Sequence, residues 1–243
     1  MKYKTVHFPS IDSTNTYLKE HFEELDDFTF VSADYQTRGK GRHRRVWLSN
    51  EKENLLFSVL IKNKDIVKDS ALISVVAVVS VCQVLEKYHF KFVQIKWPND
   101  IHINGKKMVG ILLEGRIPEY LVIGVGINVN QKIFKGRYRR PPTSLALETG
   151  HDINIDELKK EVCKRLFDNL HSYSSNEDTY HKYYYEHNYL IGGEVSFRFD
   201  NAVLSGTVKG VDENYNIIIE SDGEERHISS GEIELLRKHD EQK

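Results

Sequence analysis

The chain has 243 residues, of which 40% are hydrophobic and 29% are charged, a composition typical of globular proteins and not of disordered ones. Its 34 Lys and Arg against 36 Asp and Glu give a net charge of −2, too weak a field to attract nucleic acid or an anionic membrane. Cys82 and Cys163 form no disulfide framework, and the N-terminus lacks the apolar core of a signal peptide. We therefore expect a soluble, cytoplasmic protein that spans no membrane.

Helices and strands mix in the first part of the chain without strict alternation, which predicts the α+β class. N-cap residues at 12–15 predict a helix that ends near residues 21–25. Asn104-Gly105 predicts a two-residue hairpin turn. Periodicity predicts, in order, strands at 28–35 and 55–61, a buried helix at 69–88, strands at 92–96, 101–103, 107–114 and 120–129, and helices at 155–173 and 178–189.

After Gly193 the pattern changes to short strands separated by polar turns, predicted at 194–199, 203–211, 217–220 and 226–229. About 50 residues of this kind form a small all-β module that is marginal alone and packs on a larger domain. We therefore expect a first domain of residues 1–190 and a C-terminal β domain of residues 191–243.

The segment 36–47 has no apolar periodicity and reads as a loop. Five Lys and Arg lie between Arg38 and Arg45 and are interleaved with Gly39 and Gly41. Glycines allow a ligand to approach the backbone closely, and arginines bind phosphate or carboxylate oxygens with two donors. A phosphate-binding loop and an ordinary solvated basic loop are both open readings of this segment.

Lys96-Trp97-Pro98-Asn99-Asp100 lies between two predicted strands, where Asp100 suits Mg²⁺ binding or acceptance of an amine proton, and Asn99 suits a phosphate or ribose. An ordinary turn is the alternative. Lys107 precedes an apolar strand, where a cation suits stabilising charge on an activated carboxylate. The alternative is an edge lysine whose stem covers apolar surface.

Gly124-Val125-Gly126-Ile127-Asn128 lacks the third glycine and the following helix of a dinucleotide-binding fingerprint. Its glycines instead leave room for a flat ligand beside the strand, and the polar Asn128 needs a protein or ligand partner. The sequence contains no serine-hydrolase elbow, zinc-protease motif or complete P-loop.

These motifs, taken in order, resemble the biotin–protein ligases. The series is Ser13-Thr14-Asn15, the segment 36–47 ending in Trp47, Lys96–Asp100, Lys107 followed by Gly110–Glu114, and Gly124–Asn128, with Thr143-Ser144-Leu145 and Gly231-Glu232-Ile233 also similar. The resemblance implies a biotinyl/lipoyl-transferase-like mixed sheet flanked by helices, with a small C-terminal SH3-like β-barrel. It also implies that biotin and ATP form biotinyl-5′-AMP and pyrophosphate before a lysine amine takes the biotin.

The resemblance also implies residue roles. The residues implied for biotin are Ser13, Thr14, Asn15, Gln36, Gly39, Lys40, Gly41, Arg42, Lys107 and Gly110. Those implied for ATP are Arg42, His43, Arg45, Trp47, Lys96, Asn99, Asp100 and Asn128, with Trp47 against the adenine and residues 132–142 closing over it. The implied catalytic residues are Lys107, Arg42 and Asp100, with Mg²⁺ at Asp100. Two positions depart from the family pattern: Lys40 replaces an arginine, and Arg44 replaces a glycine.

The implied partner is a biotin carboxyl carrier protein or domain, and the ligase itself is expected as a monomer or homodimer. Because the Ser-Thr-Asn motif begins at Ser13, we expect a ligase without a preceding DNA-binding domain. A lipoate–protein ligase is the nearest alternative, although the chain lacks an Arg-Arg-x-x-Gly-Gly-Gly block. The others are a nucleic-acid-binding protein that uses the basic runs 42–45 and 137–140, and a biotin sensor without catalysis.

Overall fold

The computed structural model describes residues 3–136, 138, 142–199, 202–229, 231 and 233–236. Part of the basic run 137–140, part of the predicted loop 132–142, Glu232 and the end of the predicted C-terminal domain lie outside these residues.

The described elements follow the predicted order. The strands are β1 Lys4–Phe8, β2 Thr29–Ala33, β3 Asn54–Ile61, β4 Val93–Lys96, β5 Asp100–Ile103, β6 Lys106–Arg116, β7 Tyr120–Asn128, β8 Glu194–Phe199, β9 Ala202–Val211, β10 Ile217–Ser221, β11 Glu224–Ile228 and β12 Ile233–Leu235. The helices are α1 Thr14–Glu20, α2 Lys64–Lys68, α3 Ser70–Leu85, α4 Leu145–Thr149, α5 Ile155–Ser172 and α6 Glu177–His187. The short elements α2 and β12 were not expected, since neither is long enough to show a clear period.

Seven strands form the central sheet in the order β1-β2-β3-β7-β6-β5-β4. β1 and β2 pair in parallel and all other neighbours are antiparallel, so the sheet is mixed as expected. Asn104 and Gly105 connect β5 to β6 with φ angles of 50° and 77°, the left-handed pair that a tight hairpin requires.

The register of β3, β7 and β6 aligns small residues across one face of the sheet. Gly126 lies opposite both Gly110 and Leu56, and Gly124 lies opposite both Leu112 and Ser58. Because directly opposed residues point to the same side of a sheet, the glycines leave a strip of bare backbone on that face.

Helices cover the two faces of the central sheet differently. Leu18 of α1 packs with Val31, Leu60 and Val122 on the face that carries the glycines. The longer helices α3, α5 and α6 pack around a large apolar core, and the helical segment Ser70–Tyr88 is the one described segment apolar and long enough to cross a membrane. Its most apolar stretch is 67% buried inside the protein, where its side chains form part of the large apolar core.

The C-terminal strands form a second, antiparallel sheet in the order β11-β10-β9-β8-β12. Trp97 Nε1 donates a hydrogen bond of 2.9 Å to the Tyr215 carbonyl in this part of the chain. The Tyr184 and Tyr215 rings meet edge to face with centroids 5.8 Å apart. The α+β class, with a helix-flanked mixed sheet and a small C-terminal β structure, is therefore confirmed.

His102 on β5 is a titratable residue buried in the central sheet. Its side chain is 5% exposed, and Nδ1 has no hydrogen-bond partner. Burial lowers the pKa of His102 to about 4, an effect that Lys96 and Lys107 reinforce and that Asp100 opposes. The imidazole is therefore neutral at neutral pH and packs beside the Tyr189 ring at 5.5 Å.

We predict that His102 makes the folded state sensitive to acid. Its pKa is lower in the folded chain than the ordinary value of 6.5, so between pH 6.5 and about 4 the unfolded chain binds a proton that the folded chain does not. The free energy of unfolding should fall in this window by up to about 1.4 kcal/mol per pH unit because of this residue. Urea denaturation of the parent and of His102→Gln, at several pH values, measures the difference.

His151→Gln, which removes an exposed histidine, is the matched control. If the parent and His102→Gln curves stay parallel from pH 7 to pH 4, the assignment is wrong.

Candidate functional site

The start of α1 brings the Ser-Thr-Asn motif under the sheet. Ser13 Oγ accepts a hydrogen bond from the Thr16 backbone N–H at 3.4 Å and so caps the helix. Gln36 Oε1 accepts from the Thr14 backbone N–H at 2.7 Å, which ties the helix to the chain that follows β2. Ser13, Thr14 and Asn15 are all buried.

A chain of hydrogen bonds continues from Thr14 across the sheet. Thr14 Oγ1 lies 2.6 Å from Ser58 Oγ, and Ser58 Oγ donates to Asn15 Oδ1 at 2.6 Å. Asn15 Nδ2 donates to Glu114 at 2.8 Å, and Lys19 Nζ lies 2.5 Å from the other carboxylate oxygen. Burial by itself would raise the pKa of Glu114, but the bonds from Lys19 and Asn15 hold that pKa below its ordinary value.

Ser58, Lys19 and the role of Glu114 were missed from the sequence. Ser58 is the one polar residue in the run Leu55–Ile61, and that isolation was the available signal. Glu114 ends the Gly110–Glu114 motif, which assigned it no role, and only the pairing of β6 with β7 brings it to α1.

The loop of residues 39–47 folds back on itself. The Trp47 N–H donates to the Gly39 carbonyl at 3.0 Å, and the Gly41 N–H donates to the Arg45 carbonyl at 2.8 Å. A Cβ on Gly39 would lie 2.5 Å from the Trp47 carbonyl oxygen, so the loop closes this tightly only on glycine. At its tip, Arg44 adopts a φ of 60°, which is the conformation that favours the glycine of the family pattern.

Trp47 lies flat on the glycine strip of the sheet. Added Cβ atoms at Gly110 and Gly126 would come within 2.7 Å and 2.6 Å of its ring. Lys107 Nζ lies 5.5 Å from a Trp47 ring centroid, and Trp47 Nε1 is buried without a partner. The space predicted for a flat ligand therefore holds a flat side chain of the protein.

Charged residues gather beside Trp47. Lys107 Nζ lies 2.8 Å from Asp100 Oδ1, and these side chains are 37% and 28% exposed, so solvent reaches both. Burial lowers the pKa of the Arg42 guanidinium from its ordinary value, and the nearby Asp100 carboxylate acts in the opposite direction. Two cations, Lys107 and Arg42, therefore interact with Asp100.

A cavity of about 330 Å³ lies next to these charges and opens to solvent. It is lined by Arg42, His43, Ser74, Pro98, Asn99, Leu112 and Leu113. The cavity thus joins the basic loop to the Pro-Asn-Asp segment, two motifs that lie more than fifty residues apart in the sequence.

Two of the residues expected to contact ATP have amides that bond to the main chain. Asn99 Nδ2 donates to the Ile111 carbonyl, and Asn128 Nδ2 donates to the Thr143 carbonyl at 2.9 Å. Lys96 lies directly opposite Asp100 across β4 and β5. Lys40, His43 and Arg45 are exposed on the loop.

Comparisons with known proteins agree with this arrangement. Residues 7–128 match the model of the biotin/lipoate A/B protein ligase family, and residues 190–236 match the biotin protein ligase C-terminal domain. The bifunctional ligase/repressor BirA of Bacillus subtilis is 33% identical over 214 residues, which is 85% of this chain and 66% of that protein. The chain thus spans just under two thirds of the length of its Bacillus relatives.

Solved structures extend the similarity to the whole fold. Biotin protein ligase from Aquifex aeolicus, in complex with biotin and ATP, superposes with a TM-score of 0.84 at 30% identity, covering 97% of this chain and 99% of that one. The biotin--[acetyl-CoA-carboxylase] ligase of Paracoccus denitrificans is 25% identical over 91% of this chain and 96% of its own length. With a family model matched across half of its length and the same fold throughout, this chain belongs to the biotin/lipoate A/B protein ligase family.

Proposed function

We propose that the protein is an ATP-dependent biotin–protein ligase. It forms biotinyl-5′-AMP and pyrophosphate from biotin and ATP, then transfers biotin to a lysine of a biotin carboxyl carrier protein or domain. The observation that carries this proposal is the Lys107–Asp100 ion pair of 2.8 Å beside the glycine strip of the sheet. A cation at the end of a flat slot is what a carboxylate needs as it becomes an acyl phosphate.

The biotin site in this proposal runs from the start of α1 to Lys107. Hydrogen-bonding groups at Ser13, Thr14, Asn15 and Gln36 bind the ureido ring, and the backbone at Gly39, Lys40, Gly41 and Gly110 lines the slot. Arg42 and Lys107 bind the carboxylate end. Polar groups buried at one end and cations at the other match a ligand that is a cyclic urea at one end and a carboxylate at the other.

The nucleotide site lies on the side of Asp100 and the cavity. Arg42, His43, Arg45 and Lys96 bind the phosphates, Trp47 packs against the adenine, and Asn99 and Asn128 shape the walls. No three His, Cys, Asp or Glu side chains gather to hold a metal among the residues that the structure describes. One carboxylate fits Mg²⁺ that arrives with ATP phosphates, and Asp100 would hold it, where the ion would neutralise phosphate charge.

The chemistry needs no enzyme nucleophile. A biotin carboxylate oxygen bonds to the α-phosphorus and the bond to pyrophosphate breaks, while Lys107 and Arg42 stabilise the added negative charge. The ε-amine of the acceptor lysine then attacks the acyl carbon, AMP leaves with the bonding electron pair, and Asp100 accepts the amine proton. The loop 39–47 contributes further to the rate by holding the reacting groups in the right orientation.

We also propose residues 1–190 as the catalytic unit and 191–243 as the C-terminal unit. The match to the biotin protein ligase C-terminal domain, which begins at residue 190, supports this division. The lipoate alternative fits the slot less well, because the dithiolane end of lipoate has no N–H or C=O group to bond the hydrogen-bond chain at the end of the slot. The net charge of −2 argues against the nucleic-acid alternative.

Biotin-dependent ATP–pyrophosphate exchange tests the proposal directly. The purified chain is assayed with Mg²⁺ and with biotin, lipoate or octanoate in parallel, and we expect exchange with biotin alone. Exchange with lipoate instead would show that lipoate, and not biotin, is the substrate. No exchange from folded protein would reject the adenylation reaction.

We predict that Lys107→Ala lowers the rate of biotinyl-adenylate formation by about 100-fold or more, because a preorganised cation is lost where charge develops. Lys106→Ala is the matched control: it removes the adjacent lysine, which is half-exposed and lies 3.5 Å from Glu148. Pre-steady-state measurement of adenylate formation compares the two. Equal rates in both variants would remove Lys107 from the chemistry.

We predict that biotin moves the Trp47 ring, because the ring lies on the glycine strip assigned to the slot. Only Trp47 and Trp97 contribute tryptophan fluorescence, and Trp97 is 3% exposed. Titration with biotin should change the emission of the parent and of Trp97→Phe but leave that of Trp47→Phe nearly unchanged. No change in Trp97→Phe, in which Trp47 is the remaining tryptophan, would show that the ring does not respond to the ligand.

A further inference from the structure

The hydrogen-bond chain at the closed end of the slot has one direction. A carboxylate only accepts hydrogen bonds, so the Asn15 amide must turn its nitrogen to Glu114 and its oxygen to Ser58. Ser58 has a single hydroxyl proton, and the 2.6 Å bond to Asn15 Oδ1 uses it. The 2.6 Å contact between Thr14 and Ser58 therefore requires Thr14 to donate.

The Thr14 hydroxyl can therefore only accept a further hydrogen bond. Its only hydroxyl proton points to Ser58, so the longer contact of 3.2 Å between Thr14 Oγ1 and Gln36 Oε1 does not use that proton. The Thr14 backbone N–H is bonded to Gln36 Oε1 at 2.7 Å. A cyclic urea presents two N–H donors on either side of its carbonyl, so an oxygen that only accepts suits one of these donors.

We propose that Glu114 is a positioning residue that fixes this direction and so presents the Thr14 hydroxyl to biotin as an acceptor. The inference rests on the proposed function and deepens it by naming a determinant of ureido recognition. Glu114 acts through Asn15 and Ser58, which are both buried, while its own carboxylate is 26% exposed and faces Lys19. The low pKa of Glu114 keeps the carboxylate ionised, which the argument requires.

Replacing Glu114 with glutamine should reverse the chain. The Lys19 ammonium has only donors, so it takes the amide oxygen of the glutamine and leaves the amide nitrogen facing Asn15. Asn15 must then turn its oxygen to that nitrogen and its own nitrogen to Ser58. Ser58 in turn donates to Thr14, whose proton is released toward the slot or Gln36 and opposes an incoming N–H.

The test compares Glu114→Gln with Lys19→Gln by calorimetric titration with biotin. We expect Glu114→Gln to raise the biotin Kd by about 10-fold or more, with the KM for ATP unchanged and kcat at saturating biotin within about threefold of the parent. Lys19→Gln also removes the ion pair, but its amide still donates to Glu114. We expect its biotin Kd to stay within about twofold of the parent.

A double variant, Lys19→Glu with Glu114→Gln, distinguishes an effect of hydrogen-bond direction from an effect of side-chain packing. The new carboxylate at position 19 accepts from the amide nitrogen at position 114, which returns the amide oxygen to Asn15 and restores the original order. We expect biotin affinity to recover to within about threefold of the parent. Thermal unfolding of every variant, with and without biotin, shows whether each is folded. If Glu114→Gln does not fold, the biotin affinity of the double variant decides the test.

A second ligand reports on the N–H itself. A biotin analogue methylated on one ureido nitrogen loses a donor, and the parent's preference for biotin over this analogue should shrink in Glu114→Gln. The inference would be overturned if Lys19→Gln and Glu114→Gln lose equal amounts of biotin affinity, or if a folded double variant does not recover that affinity. Either result would show that Lys19 and Glu114 form an ion pair with a structural role alone. A folded parent that binds no biotin would overturn the proposed function and this inference with it.

Discussion

The site depends on the register between β6 and β7, which aligns three glycines on one face of the sheet. A single added Cβ at Gly110, Gly124 or Gly126 would come within 2.7 Å, 2.2 Å or 2.6 Å of Trp47 or Asn15. Long antiparallel pairing holds this register, and a slip by one residue would replace the bare strip with apolar side chains from the other face. The flat floor of the slot is therefore a property of the whole sheet.

The two ends of the slot are built on opposite physical principles. At one end Thr14, Ser58 and Asn15 are buried, and every bond has a fixed direction, so recognition comes from geometry that does not adjust. At the other end Lys107 and Asp100 remain partly solvated, and the half-buried Arg42 is followed by the exposed loop residues 43–46. Charge can be redistributed there during a reaction without a large desolvation cost.

Much of this arrangement could be predicted from the sequence, because the motifs combine residues whose chemistry is local. The N-cap at Ser13 and the Asn104-Gly105 hairpin follow from short-range patterns. The family resemblance alone gave Lys107 and Asp100 a shared catalytic role, and the structure places them 2.8 Å apart. The order of the strands in the sheet and the place of Trp47 on the glycine strip do not follow from short-range patterns. They depend on pairings between distant segments that periodicity does not encode.

The same limit explains the missed hydrogen-bond chain. Asn15 and Glu114 are 99 positions apart, and one acidic residue among 36 gives no signal of its own. Asn99 and Asn128 were expected to contact the nucleotide, and in the structure each amide nitrogen bonds to a carbonyl of the main chain. A buried amide needs a partner, but the sequence does not say which one.

The position of Trp47 has a consequence for how quickly the slot fills. A ring that rests on Gly110 and Gly126 must leave before another flat molecule can take its place, so association is an exchange between two occupants. The apparent affinity is the intrinsic affinity reduced by the fraction of molecules in which the ring has already moved away. At high ligand concentration the observed association rate would then level off at the rate of ring departure, a ceiling set by the loop of residues 39–47.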